Sequence, residues 1–263
     1  ADLEETAIYI EGESDGVFNE NDFILFYAQG PHDWEVNSAN QTARHRQNIF
    51  SDESYYFITV NENDGKRIQQ KNQVSGPTTS QITTFNDFTF YEKEAVNLFA
   101  IGNQWFGEDF NTLDTRSFKI PFPNALPNSN VSLRVRGVST SSVASSMKVT
   151  MNGQEAFTLA FNAVNPSSLT KAVASERTIT LSNSSEIIDI SMVYDNGGNP
   201  AAKTYLDFIE ITGEKQLKAN GAQFSFRSFQ QANAFGTIEY AIQNAATIFQ
   251  LWDVSNALQP KVI

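Results

Sequence analysis

The chain has 263 residues, of which 40% are hydrophobic and 18% charged, a balance typical of a folded globular protein. Its formal net charge is −12 and it has no basic patch, which argues against nucleic acid or an anionic membrane surface as a partner. The sequence contains no cysteine, so disulfides, thiolate metal sites and cysteine nucleophiles are excluded for this chain. It starts at Ala1 without an initiator Met or a signal-peptide pattern, which predicts a processed or excised piece.

Short apolar runs, many with a period of two, dominate the chain and predict a mostly β protein. Residues 36–54 predict a long polar loop, and 88–98 predict either a helical turn or an extended segment. In chain order, the predicted strands are Ala7–Ile10, Phe23–Ala28, Tyr55–Val60, Val131–Val135, Met147–Met151, Ile187–Tyr194, Tyr205–Ile211, Gln223–Phe229, Gly236–Ile242 and Thr247–Trp252.

The spacing of these strands predicts two parts. Residues 1–98 form a smaller mixed β N-terminal domain with long loops, and residues 99–263 form an antiparallel β-sandwich or jelly-roll-like domain. The last ~50 residues either complete the sandwich or pack on the N-terminal domain. Within the sandwich, Asn152-Gly153 predicts a hairpin turn, because both residues tolerate positive φ.

Hydrolytic chemistry has little support in the sequence. His32 and His45 lie in predicted polar loops, without a G-x-S-x-G elbow or an H-E-x-x-H zinc motif, and are interpreted as solvated loop residues. The adjacent acids Glu108 and Asp109 could form a glycosidase-like carboxylate pair, but the favoured interpretation is a turn that anchors Trp105.

The acidic run at residues 11–22 is the candidate metal site. Read as a twelve-residue calcium loop, it places Glu11, Glu13, Asp15 and Asp22 at positions one, three, five and twelve, and a Val17 carbonyl at position seven. Gly16 falls at position six, where such a loop turns sharply. The alternative is an acidic turn at Asp15-Gly16 that reverses the chain between two strands.

The three tryptophans raise the question of sugar binding, because indole rings stack on pyranose rings. Trp105 and Trp252 lie in strand-like apolar runs, which favours core packing. Trp34 follows Gly30-Pro31 in a polar stretch and is therefore the candidate exposed aromatic platform.

Several motifs together resemble one family. The segment DGVFNENDFILFYAQGP resembles an acidic turn followed by a strand ending in Phe-Tyr, and YEKEAVNLFAIGNQWFGEDF resembles a Trp-aromatic-Gly-Glu signature. YLDFIEI and LWDVSN resemble later strands. The family is that of the PorU-type, gingipain-like sortases of the bacterial type IX secretion system, in the non-catalytic region before the peptidase domain. Family members commonly have Gly-Arg where this chain has Asn103-Gln104.

The resemblance implies an accessory scaffold without catalytic residues of its own, in an exported protein at the outer-membrane surface or in the periplasm. The implied partners are a downstream peptidase domain of the same polypeptide, the outer-membrane barrel protein PorV, and secreted cargo whose C-terminal signal domain is removed. The alternative is a self-contained carbohydrate- or surface-binding β-sandwich module. An independent hydrolase is the least supported interpretation.

Overall fold

The computed structural model describes residues 3–60, 63–72, 74–98, 103–229 and 236–263. The protein is nearly all β, with 46% strand and 2% helix, which confirms the fold class predicted from the apolar runs. Short 3-10 turns lie at Glu13–Asp15 and Ala245–Thr247. The strands are β1 Ile8–Ile10, β2 Ile24–Phe26, β3 Asp33–Asn37, β4 Thr42–Arg46, β5 Gln69–Gln70, β6 Thr78–Ile82, β7 Thr84–Glu92, β8 Thr115–Pro121, β9 Ser129–Ser139, β10 Ser145–Met151, β11 Gln154–Phe161, β12 Val173–Asn183, β13 Ile187–Asp195, β14 Thr204–Gln216, β15 Thr237–Tyr240, β16 Trp252–Asp253 and β17 Lys261–Val262.

A β-sandwich of two four-stranded antiparallel sheets forms the body of the protein. One sheet has the order β11-β10-β13-β8, and the other has the order β12-β9-β14-β7. We call the second the latch sheet. The predicted hairpin is confirmed: β10 and β11 are joined through Asn152 and Gly153, whose φ angles are 50° and 78°.

Alternating side chains explain why β9 lies in the middle of the latch sheet. Val131, Leu133 and Val135 face the other sheet and are fully buried, whereas Arg134 and Arg136 face away. This period of two lets one strand serve an apolar core and a polar outer face at once. The core continues through the inward residues of both sheets, among them Met147, Val149, Ile188, Ile190, Met192, Leu206, Ile209 and Ile211.

Short strands flank the sandwich and pair the first part of the chain with its last part. β1 pairs with β2, and β5 pairs in parallel with β17, which pairs with β16. A parallel bridge between Ile8 and Arg67 joins β1 to the chain leading into β5. β6 pairs in parallel with β15, and β3 and β4 form a hairpin. We call β1–β6 and β15–β17 the flanking strands.

The division at residue 99 remains a prediction, but the strand pairing does not follow it. β7 lies before that residue and is paired along its whole length with β14 of the latch sheet. β15 and β17 lie after it and pair with β6 and β5 near the start of the chain.

Four local predictions were wrong. Thr247–Trp252, predicted as a strand, starts in a 3-10 turn, and of its residues only Trp252 lies on a strand, β16. Residues 36–54, predicted as a loop, contain the end of β3 and the whole of β4. Tyr55–Val60 and Gln223–Phe229, predicted as strands, lie outside any strand. An apolar, β-prone run becomes a strand only if a neighbouring strand is available to pair with its backbone. Residues 88–92, where the prediction left two alternatives open, belong to the extended strand β7.

Candidate functional site

The acidic run at residues 11–22 forms the connection of a hairpin, because β1 and β2 pair on either side of it. Its first two carboxylates have separate partners. Glu11 accepts a hydrogen bond from the hydroxyl of Tyr9, and Glu13 pairs with Arg67 at 2.6 Å. Glu13 is thus paired with a cation, whereas Glu11 receives a hydrogen bond from a neutral hydroxyl.

The other two carboxylates of the run cap backbone turns. Asp15 Oδ1 accepts from the N–H of Val17 at 2.9 Å, and Asp22 Oδ2 accepts from the N–H of Asn19 at 2.7 Å. Gly16 is left-handed, with φ 72°, as a sharp turn requires. Within the described ranges, no group of three or more acids or histidines is arranged to hold a metal ion. The geometry is that of an acidic turn, and calcium binding here stays a prediction.

Trp34 lies on strand β3, not in a loop. Its ring centroid is 4.0 Å from that of Phe88 and 5.7 Å from that of Phe90, both on β7. The indole is half-buried and covers aromatic side chains of the latch sheet. A sugar platform at Trp34 stays a prediction, and one side of its ring is already occupied by Phe88.

The other two tryptophans differ from each other. Trp105 is 41% exposed, so the prediction of core packing was wrong for it, and the buried residue of this segment is its neighbour Phe106. Phe106 exchanges backbone hydrogen bonds with Val96, which fixes the turn. Trp252 lies half-buried on β16 and donates its indole N–H to Gln250 at 2.7 Å.

The adjacent acids Glu108 and Asp109 have different partners. Tyr91 donates to Glu108 Oε1 at 2.5 Å, whereas Asp109 accepts from the backbone N–H of Asn111. The other oxygen of Glu108 is buried without a hydrogen-bond partner. Burial and the bond to Glu108 raise the pKa of Tyr91 to about 12. A shallow groove lined by Tyr91, Glu108 and Arg116 opens beside this pair.

The most concentrated set of buried charges surrounds His45, which the sequence predicted to be a solvated loop residue. That prediction was wrong: His45 lies on β4, and only 4% of its side chain is exposed. Its Nδ1 lies 2.5 Å from Glu210 Oε1 on β14, and its Nε2 contacts Glu92 on β7. The backbone N–H of His45 also donates to Glu210, at 2.9 Å.

Aromatic rings enclose the imidazole. It stacks on Phe90 with a centroid distance of 4.3 Å and an interplanar angle of 12°, and it meets Phe208 edge-on at 5.0 Å. Phe208 also lies under the guanidinium of Arg134. The rings exclude water from the ion pairs, so the contacts of His45 are stronger than they would be in solvent.

Arg134 extends the charge cluster across the latch sheet. It contacts Glu210 Oε2 and Glu176 Oε1, both at 2.7 Å, and so bridges β14 and β12 from its place on β9. Glu210 therefore has a cation at each of its two oxygens. We call His45, Glu92, Glu210, Arg134 and Glu176 the latch cluster, because it joins the β3–β4 hairpin to the outer face of the sandwich.

The electrostatics of the latch cluster favour a charged imidazole. Burial by itself would lower the pKa of His45, but the hydrogen bonds and charges of Glu210 and Glu92 outweigh it and raise the pKa to about 9. Burial acts against the ionised form of Glu210 as well, yet its contacts with His45 and Arg134 leave its pKa below the ordinary value. At neutral pH the ring is an imidazolium that donates from both nitrogens.

Two further carboxyl groups lie at the margin of the cluster. Burial raises the pKa of Asp207 to about 6, although Arg136 contacts it at 2.5 Å. Burial and the nearby Glu92 raise the pKa of Glu94 to about 7. This corner of the latch sheet therefore holds more negative charge than the cations paired with it can neutralise.

The geometry of the latch cluster suits a structural role. A doubly donating imidazolium has no free lone pair and cannot act as a general base. The chain has no cysteine that it could activate. The one available sequence signal for the site was the pair of acids inside apolar strand runs, Glu92 in β7 and Glu210 in β14, since a buried carboxylate needs a cation.

The fold is similar to that of one much longer protein. Dimeric latent PorU from Porphyromonas gingivalis matches with a TM-score of 0.79 and 19% identity, over 98% of this chain and 24% of the PorU chain. The resemblance predicted from the sequence motifs is confirmed as a resemblance of fold. This chain spans about a quarter of the length of that protein.

The fold is also weakly similar to those of carbohydrate-binding modules. A CBM36 module in complex with calcium and xylotriose matches at a TM-score of 0.30 and 16% identity, over 49% of this chain and 99% of the module. A family 35 module from Clostridium thermocellum matches at 0.30 and 13% identity, over 49% of this chain and 98% of the module. Likenesses this weak carry no argument about function. No family model and no curated protein matches the sequence.

Proposed function

We propose that the chain is a non-catalytic accessory region of a PorU-like sortase of the type IX secretion system. The observation that carries this proposal is the shared fold with latent PorU over 98% of the chain. The absence of cysteine supports it, because a gingipain-like peptidase needs a cysteine nucleophile that must then lie elsewhere in the polypeptide.

The role proposed for the region is that of a scaffold at the outer-membrane surface. It positions the peptidase domain of the same polypeptide relative to cargo proteins and to a barrel protein of the PorV kind. The paired flanking strands support this role, because they join the start of the chain to its end across the side of the sandwich. A scaffold needs such fixed geometry, since small displacements of a reacting group cost large factors in rate.

Two measurements test the proposal. The isolated chain is incubated with fluorogenic peptides cleaved after Arg or Lys, and we expect no turnover. Turnover that persists through repurification and is lost on substitution of a residue of this chain would overturn the non-catalytic role.

The second measurement uses the complete polypeptide encoded by the gene. We expect a downstream region with a Cys-His peptidase pair, and we expect deletion of residues 1–263 to abolish removal of cargo C-terminal signal domains. A gene without that downstream region, or unchanged processing by the deletion variant, would contradict the proposal. The matched control is the variant with its peptidase cysteine replaced, which must also be inactive.

A further inference from the structure

The segment Tyr55–Val60, with the sequence YYFITV, is the most exposed apolar run in the described part of the chain. Phe57 and Ile58 are 71% and 74% exposed, and Val60 is 97% exposed. Single exposed apolar residues are ordinary in soluble proteins, but consecutive ones mark an interaction site or an aggregation hazard.

The backbone of this run is also unpaired. None of the residues from Phe57 to Val60 makes a backbone hydrogen bond within the described ranges, and none belongs to a strand. Five of the six residues are β-branched or aromatic apolar types, and the sixth is Thr59, a composition with high strand propensity. Free N–H and C=O groups beside such side chains are what an added strand pairs with.

One side chain holds the segment against the flanking strands. The Tyr56 hydroxyl donates to the carbonyl of Gln29 at 2.9 Å and accepts from the N–H of Gln29 at 2.6 Å. The Tyr56 ring lies 5.5 Å from that of Phe26 on β2. Tyr56 therefore holds the segment at a fixed place, while Phe57, Ile58 and Val60 face solvent.

The pattern of the segment specifies the kind of partner. As a strand, Tyr55 and Phe57 would share one face with Thr59, and Ile58 and Val60 would share the opposite face with Tyr56. Both faces are then apolar, as in strands that are buried on both sides. An isolated peptide could pair with the backbone but could not cover both faces, so the partner is a folded body that offers a strand edge.

We infer that Tyr55–Val60 is a docking strand for the part of the same polypeptide that follows Ile263. This rests on the proposed function, in which a larger downstream region exists, and on the match that covers 24% of a longer chain. β17, at the end of this chain, pairs with β5, whose approach joins β1, and β1 pairs with β2. The downstream chain thus starts about three strand spacings, roughly 15 Å, from Phe26.

The short distance between the end of β17 and the segment favours an intramolecular partner over a second copy. A tethered region has an effective concentration in the millimolar range, so a modest strand pairing suffices to dock it. A second copy would have to bind at its free concentration.

Amide hydrogen exchange of the isolated chain and of the complete polypeptide tests the inference. We expect Phe57–Val60 to exchange freely in the isolated chain and to be protected at least about 100-fold in the complete polypeptide, independently of protein concentration. Free exchange in the complete polypeptide, or protection already in the dilute isolated chain, would overturn the inference. Protection that depends on concentration would assign the segment to a second copy and overturn the intramolecular partner.

A matched pair of proline variants completes the test. Ile58→Pro removes one N–H from the docking strand, and Leu169→Pro places the same change at another exposed residue outside any strand. We expect both isolated variants to melt like the parent, and only Ile58→Pro to lose protection in the complete polypeptide. Equal protection in both variants would contradict a strand. Hydrogen-exchange protection can be measured whatever the activity of the downstream region. This test can therefore fail independently of the sortase proposal.

Discussion

The sandwich and the flanking strands are stabilised by different interactions. The sandwich encloses a continuous apolar cluster from Phe110 to Ile211 drawn from both sheets. In the flanking strands, as far as they are described, the buried apolar residues are Ala43 and Ile82. Hydrogen bonds, aromatic contacts and ion pairs replace the core there. The chain thus combines a body built around an apolar core with flanking elements whose attachment depends on charge, and therefore on pH.

The largest expected effect that tests this contrast lies in the core. Leu133→Ala removes a fully buried side chain from the middle strand β9. We expect a loss of about 3–5 kcal/mol in the free energy of unfolding, from lost burial plus the cavity left behind. Urea denaturation followed by intrinsic fluorescence measures it.

The matched change in the flanking strands is Ile24→Ala on β2, where the side chain is 37% exposed. We expect it to cost less than about 1 kcal/mol. Equal losses for the two variants would show that the flanking strands contribute to the same cooperative core and would remove the contrast.

The next effect concerns the latch cluster. His45→Gln leaves Glu92 and Glu210 buried without their shared cation, and we expect a loss of about 3 kcal/mol at pH 6. His32→Gln is the control, because His32 is half-buried and contacts the backbone N–H of Asn48 at 3.3 Å. We expect that control to lose less than about 1 kcal/mol.

The pH dependence of the same proteins sharpens the assignment. The folded-state pKa of His45, about 9, lies above its ordinary value of 6.5, so its contribution is complete below pH 6.5 and is lost as the pH rises through 9. Asp207 and Glu94, whose pKa values are raised to about 6 and about 7, act in the same direction at lower pH. We expect the parent and His45→Gln to converge in stability by about pH 10. Parallel pH curves would contradict the charged latch.

The success of the sequence-based predictions also differs between the sandwich and the flanking strands. The alternation in β9, β10 and β13 was visible because each of these strands faces the core on one side. Asn152-Gly153 marked its hairpin by turn chemistry alone. In the flanking strands the side chains pack on distant partners instead. The run DWEVN is short and mostly polar, and of its two apolar residues Val36 is exposed. It forms β3 because Trp34 packs on Phe88 of β7.

The candidate site was not predictable for a related reason. His45 and Glu210 are 165 residues apart, and nothing in the local sequence TARHR distinguishes a buried imidazolium from a solvated loop residue. Conversely, YYFITV has the composition of a strand but no partner within the described chain. In both cases the deciding factor is a contact made far along the sequence.

A smaller effect is expected at the ion pair that secures β16. Lys71 contacts Asp253 at 2.6 Å, and its hydrogen bond, with that of Ser255, lowers the pKa of Asp253 to about 2. Asp253→Asn should cost about 1 kcal/mol near pH 7, and the difference from the parent should shrink as the pH falls from about 4 to 2. Asp195→Asn, in the sandwich, is a surface control. A difference that is constant with pH would show that the carboxylate charge is not what stabilises β16.

The smallest expected effect is that of calcium on the turn at residues 11–22. A site used by calcium would stabilise the fold by mass action, and the melting temperature would rise with the metal concentration. Here Glu13 is paired with Arg67, and Asp15 and Asp22 cap backbone N–H groups, so a cation would first have to displace these contacts. We therefore expect millimolar calcium to leave the melting temperature of both the parent and Asp15→Ala unchanged, with magnesium as the control for ionic strength. A calcium-specific rise in the parent that is lost in Asp15→Ala would show instead that the four carboxylates rearrange around the ion, and that this flanking hairpin, like the latch cluster, is held by charge.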